Sequence, residues 1–145
     1  MTNPAGERPY DVLLVEDDNA DALLIEEALL DQGLARDLTR AEDGVVALEY
    51  LRDPSRPRPD LIVLDLNMPR MNGRELLAVI KHDEALRAIP VVVLTTSHAP
   101  DDVRGAYGDH ANAYVNKPVA LDDFTRAVQG IDAFFLETAV RVPRP

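Results

Sequence analysis

Four polar clusters each stand directly after a short apolar run. Glu16-Asp17-Asp18 follows Val12-Leu13-Leu14-Val15, Asp65 follows Leu61-Ile62-Val63-Leu64, Thr95-Thr96-Ser97 follows Val91-Val92-Val93-Leu94, and Asn116-Lys117-Pro118 follows Ala113-Tyr114-Val115. Three adjacent acids repel one another, so Glu16, Asp17 and Asp18 are either held apart by solvent or gathered around a cation. A carboxylate that ends a buried run abruptly, as Asp65 does, either caps a turn or stands at the carboxyl edge of a sheet, where open α/β folds place their chemistry. The three hydroxyls at 95–97 fall at the level of the acids after the first run.

The elements that position these groups follow from patterning. Runs as short and as rich in Val, Leu and Ile as those before Glu16 and Asp65 are strands buried on both faces, as in parallel sheets, and Ala113-Tyr114-Val115 is a fifth short strand. Pro69 cannot continue a ladder and Asn72-Gly73 is turn chemistry, so Leu66 to Gly73 is a loop leading into a helix. In chain order, strand one covers Tyr10 to Val15. Asp18 and Asn19 can cap a first helix from Ala20 to Gln32, with Leu24, Ile25, Ala28 and Leu29 on one face and Gly33 as the stop. A weaker second strand, Leu34 to Ala41, has Leu38 as its one clear inward residue, and Glu42-Asp43-Gly44 turns into a second helix patterned by Val45, Leu48 and Leu51. Pro54, Pro57 and Pro59 interrupt regular structure until the central strand near Asp60. Leu76, Leu77 and Ile80 pattern helix three, Pro100 to about Tyr107 is a short helix four, and the last helix starts near Leu121 with Asp122 and Asp123 in its first turn.

Strand and helix alternate five times. That is the pattern of an α/β fold with a doubly wound, five-stranded parallel sheet and right-handed crossovers. The order 2-1-3-4-5 is an expectation borrowed from flavodoxin-like sheets. In that order strands one and three are central neighbours, so Glu16, Asp17 and Asp65 share one crevice, lined on its other side by Thr95 and Lys117.

Composition narrows the classes. The 145 residues suit one domain. The formal net charge of -11 would repel nucleic acid, and no basic stripe overturns this. The absence of Cys removes disulfides and thiolate chemistry. No stretch approaches the ~20 apolar residues of a membrane span, and Met1 to Pro9 lacks a secretory apolar segment, so a cytoplasmic protein with no membrane partner is expected.

From Tyr10 to Phe135 the chain resembles a two-component response-regulator receiver domain. The resemblance is carried by Glu16-Asp17, by Asp65 with Asn67-Met68-Pro69 and Gly73 behind it, by Thr95, and by Lys117-Pro118, each at the matching strand end. It implies that Asp65 is the phosphoacceptor, attacking the phosphohistidine of a sensor histidine kinase. Mg²⁺ would be held by Asp17, Asp65, the backbone carbonyl of Asn67 and, directly or through water, Glu16. Lys117 would neutralise phosphoryl oxygens, and Thr95 with Tyr114 would form the switch. Such a chain is a phosphoacceptor and not a turnover enzyme. His110 stands where most receivers carry Gly, which implies an uncommon backbone conformation there. Thr96 replaces a usually smaller residue and bears on the access of water to the phosphoryl group.

Three competing readings are weaker. A flavodoxin-type carrier needs an anion cradle where Glu16-Asp17-Asp18 would repel phosphate. An aspartyl-phosphate hydrolase usually has a second Asp two residues after the nucleophile, where Asn67 stands. The third, a constitutive dimeric adaptor or a phosphate relay or sink, shares the same residues.

The C-terminus carries the remaining signal. Leu121, Phe124, Val128, Ile131 and Phe135 make one apolar stripe, expected to pack on the sheet. Ala133, Leu136 and Val140 lie off it and Phe134 at its margin, so a second apolar surface is expected, with Phe134, Leu136 and Val140 as interface residues of a homodimer. The expected organisation is a loose tail at 1–9, a receiver at 10–136, and an extension at 137–145 serving as a dimer arm. No output domain follows, so a single-domain receiver is expected, signalling through its helix 4, strand 5, helix 5 face. Leu66 to Gly73, His110 to Tyr114 and Ile131 to Phe135 resemble the subgroup paired with bacterial phytochrome kinases.

Overall fold

The computed structural model describes residues 9–30 and 36–143. The loose tail before Pro9, the Gly33 helix stop, the start of strand two at Leu34 and the final Arg144-Pro145 lie outside the described residues.

The strands are β1 (Tyr10–Val15), β2 (Arg36–Ala41), β3 (Leu61–Leu64), β4 (Val91–Thr95) and β5 (Ala113–Asn116). Between and after them run α1 (Asn19–Leu30), α2 (Gly44–Arg52), α3 (Gly73–His82), α4 (Pro100–Gly108) and α5 (Leu121–Asp132), the last continuing into a π-helical turn at Ala133–Thr138. All pairings are parallel, in the order β2-β1-β3-β4-β5. The borrowed order is therefore the observed one.

Because side chains alternate across a strand, the apolar runs serve two cores. Leu13, Val15, Ile62, Leu64, Val91 and Val93 pack with Leu76, Leu77 and Ile80 of α3. Val12, Leu14, Leu61, Val63, Val92 and Leu94 pack with Ile25 and Leu29 of α1 and Phe124 and Val128 of α5. Leu24 and Leu38 are half-buried against that second core. Both sides of β1, β3 and β4 are thus committed, which fixes their register firmly.

Helix ends are specified locally. Asn72 and Glu75 form a reciprocal capping box at α3. The Asp43 side chain accepts from Val46 N at the start of α2 and pairs with Arg70 Nε at 2.8 Å, which holds its carboxyl below the usual range. His110 has φ 69°, the uncommon left-handed backbone expected at that position.

Two C-terminal expectations are corrected. Leu121 does not join the core stripe but is 57% exposed, as the first residue of α5, one turn before the buried Phe124. Leu136 is no interface residue, since it is fully buried in the α1/α5 core. The cause is the π turn, in which Ala139 N donates to Phe134 O, five residues back, at 2.7 Å. One extra residue in the turn rotates the side chains after it, so the core continues from Ile131 to Leu136 while Phe135 is only half-buried. Phe134 and Val140 do face outward, 55% and 93% exposed.

Candidate functional site

The ladder hydrogen bonds run one residue past the apolar strands and so set the polar residues side by side. Asp65 N donates to Val15 O at 3.0 Å, Glu16 N to Ala41 O at 3.0 Å and Lys117 N to Thr95 O at 2.8 Å. Gly73 closes the loop behind Asp65 with its N donating to Leu66 O, and a Cβ at this position would lie 2.1 Å from the Asp65 carbonyl oxygen. Only glycine allows α3 to start so near β3. From β2, Arg40 Nε donates to the Glu16 carbonyl at 3.0 Å and its Nη1 to Asn19 Oδ1 at 2.8 Å, which pins the acidic loop.

Electrostatics centre on Lys117. Its buried Nζ donates to Glu16 Oε1 at 2.6 Å, Asp21 Oδ2 at 2.8 Å and Asp65 Oδ2 at 3.3 Å. Glu16 and Asp65 are buried too, whereas Asp21 is half-exposed and Asp17 exposed. Burial raises the Glu16 carboxyl to about 7, helped by the Asp65 charge and opposed by Lys117. Burial alone would lower Lys117, but hydrogen bonds to Asp21 and Glu16 and the charges of Glu16 and Asp65 override it and hold the ammonium form more firmly than usual. An excess of carboxylate over ammonium remains.

That excess has the chemistry of a hard-cation site. Carboxylate oxygens of Glu16, Asp17 and Asp65 lie within 4.8 Å of one another, an all-oxygen donor set that suits a divalent ion such as Mg²⁺ or Mn²⁺. Asn67 is exposed, and its N–H approaches Asp65 Oδ1 at 3.4 Å.

On the far side of the crevice Thr95 is buried, and its Oγ1 accepts from Ser97 N at 3.4 Å. Tyr114 is half-buried, and its hydroxyl donates to Ser97 O at 2.9 Å, where Asn116 Nδ2 also donates at 2.6 Å. Both switch candidates therefore contact the same loop between β4 and α4. Thr96 lies at the mouth of the site, beside Lys117 and Val119.

Residues 12–129 match the model of the response regulator receiver domain. The chain belongs to that family. Among curated relatives, this receiver is 46% identical over 134 residues to response regulator Rcp1 of Synechocystis sp., covering 90% of this chain and 91% of the relative. A crystal structure of the Mn²⁺-bound form of Rcp1 superposes with a TM-score of 0.90 at 45% identity, covering 93% of this chain and 100% of the other. The phosphorylated cyanobacterial phytochrome response regulator RcpA gives 0.91 at 42% identity, with 94% and 100% covered.

Sequence placed Glu16, Asp17, Asp65 and Lys117 of this receiver in one crevice, and the structure brings them together. It missed two residues. Asp21 was hidden because an acid in a first helical turn is already accounted for by the helix dipole. Arg40 lies on a weakly patterned strand and showed no signal of its target, a backbone carbonyl just past the end of the neighbouring strand.

Proposed function

We propose that this receiver accepts a phosphoryl group on Asp65 from a phosphohistidine of a sensor histidine kinase, in the cytoplasm. A phytochrome is the kinase class suggested by its likeness to RcpA. The observation that carries the reading is the Lys117 ammonium 3.3 Å from Asp65 Oδ2, next to an oxygen-only acid cluster. An Asp65 oxygen attacks phosphorus, the P–N bond breaks, the imidazole leaves and is protonated by solvent, and an acyl phosphate remains. Lys117 offers a donor to the phosphoryl oxygens, and the buried walls limit water. When bound at Glu16, Asp17 and Asp65, with the Asn67 carbonyl as a further oxygen, Mg²⁺ supplies the charge neutralisation that phosphoryl transfer requires.

The output in this reading is a surface change. Thr95 leaves Ser97 N for a phosphoryl oxygen, and Tyr114 follows through the loop they share. The affinity of the α4, β5, α5 face for a second copy or another protein then changes. Phe134 and Val140, which follow α5 in the chain, are exposed apolar groups suited to such a contact. Residues 10–136 are the receiver body, and 137–145 are its C-terminal extension.

Mass spectrometry after incubation with a small phosphodonor and Mg²⁺ tests the acceptor. One phosphoryl group is expected on Asp65 and none on Asp65→Asn, and equal labelling of both sinks the assignment. Sedimentation with and without beryllofluoride tests the output. A larger species only with the adduct supports a phosphorylation-controlled dimer, and a dimer in every condition supports the constitutive adaptor instead.

A further inference from the structure

Lys117 is engaged by more carboxylate than the phosphoacceptor reading requires. An ammonium has three protons, and here they are directed to Glu16 at 2.6 Å, Asp21 at 2.8 Å and Asp65 at 3.3 Å. Glu16 and Asp65 belong to the cluster of oxygens that fits a cation, and Asp21 does not. Asp21 comes from the first turn of α1, where its own N–H is held by Asp18 Oδ1 at 2.9 Å. Its position is thus fixed by a helix start and not by what happens at Asp65.

The distances are unequal in a way that bears on function. Lys117 Nζ lies closer to Asp21 than to Asp65. An ammonium whose protons are all taken must lengthen or release one bond before it can serve a phosphoryl group on Asp65. Asp21 also adds a negative charge on the side of the crevice lined by Leu24, Thr96 and Val119, where like charge opposes an incoming phosphoryl group.

Resting on the assignment of Asp65 as phosphoacceptor, we infer that Asp21 is a positioning residue that restrains phosphorylation, holding the Lys117 ammonium back from Asp65. It touches neither the phosphoryl group nor the cation cluster and acts through Lys117. The fully unphosphorylated arrangement is the one it favours.

The test is a beryllofluoride titration of the full chain in Mg²⁺, followed through the backbone amide resonances of β5, for the unmodified protein and Asp21→Asn. Asn keeps the side-chain shape and one acceptor oxygen for Lys117 while removing the charge. About three- to tenfold tighter binding is expected in Asp21→Asn, and the gain should vanish when both proteins also carry Lys117→Met. A second readout needs no metal. The Nζ resonance of Lys117 in the metal-free protein should shift in Asp21→Asn, and it decides the matter if the Lys117→Met proteins bind too weakly to titrate. Unchanged or weaker binding, an equal gain without Lys117, or an unmoved Nζ resonance each overturns the inference. Failure of the unmodified protein to bind beryllofluoride overturns the Asp65 assignment itself, and with it this inference. Binding that depends on Asp65 but is indifferent to Asp21 overturns the inference alone.

Discussion

The two edges of the sheet use charge in opposite ways. At the carboxyl edge the Lys117 ammonium faces Glu16, Asp21 and Asp65, with Asp17 exposed beside them. At the amino edge the guanidinium of Arg141 stacks 3.7 Å over the Tyr10 ring and lies 4.0 Å from Asp60 Oδ1, while Asp60 Oδ2 accepts from Asp11 N at 2.9 Å. The second arrangement closes a seam, tying the C-terminal segment across the start of β1 and β3. The first leaves buried acid in excess, which opposes folding unless a cation or a proton joins it. Charge that a fold carries at its own expense points to a ligand, and charge that is matched points to structure.

The largest expected difference between the edges comes from removing each cation. Lys117→Met leaves buried carboxylates facing one another and should cost about 3 kcal/mol in metal-free chemical denaturation, with part of the loss regained on adding Mg²⁺. A Lys117→Met protein as stable as the parent without metal would mean that the acid excess is not felt by the fold.

Acidity should act next, and at the carboxyl edge. Glu16 titrates near its ordinary 4.5 in the unfolded chain and at about 7 in the folded one. Between those values the folded state binds more protons, so metal-free stability should fall as pH rises through that window, with the penalty complete above about 7. Mg²⁺ affinity should rise over the same window, because the ligand must lose its proton. Denaturation at either end of the window, with Glu16→Gln as the control that flattens the trend, checks the sign. A trend that survives Glu16→Gln would assign it to another group.

The smallest effect is expected at the amino edge. Arg141→Gln loses the stacking on Tyr10 and the attraction to Asp60, about 1 kcal/mol, and should leave phosphorylation of Asp65 unchanged. A change in the rate of phosphorylation would show that the two edges are coupled through the sheet and would break the contrast.

Reading the chain from sequence succeeded where one residue type leaves few options. The Val-, Leu- and Ile-rich runs ending in Asp65 and Thr95 are strands buried along their length, and the loop from Leu66 to Gly73 follows from Pro69 and Asn72-Gly73. It failed where a residue stands at no strand end. Glu16 lies 101 residues from Lys117 and was still placed with it, because both close strands, whereas Asp21 sits inside the first turn of a helix, where an acid has a local use already. It failed again at Leu121 and Leu136, because a stripe drawn at constant helical spacing assumes a helix that is covered from its first residue and never widens into a π turn.

The sequence by itself determined the alternation of strands and helices, the polar residue at each strand end and the family, because these depend on short-range patterning and on residue types that have few alternative uses. Only the tertiary structure decided which carboxylates share the Lys117 ammonium, which edge carries unmatched charge, and which C-terminal side chains face outward. Those depend on burial and on distances set by the whole packed sheet. The Glu16 carboxyl, ordinary in sequence, is raised to about 7 because packing removes its water and brings Asp65 close.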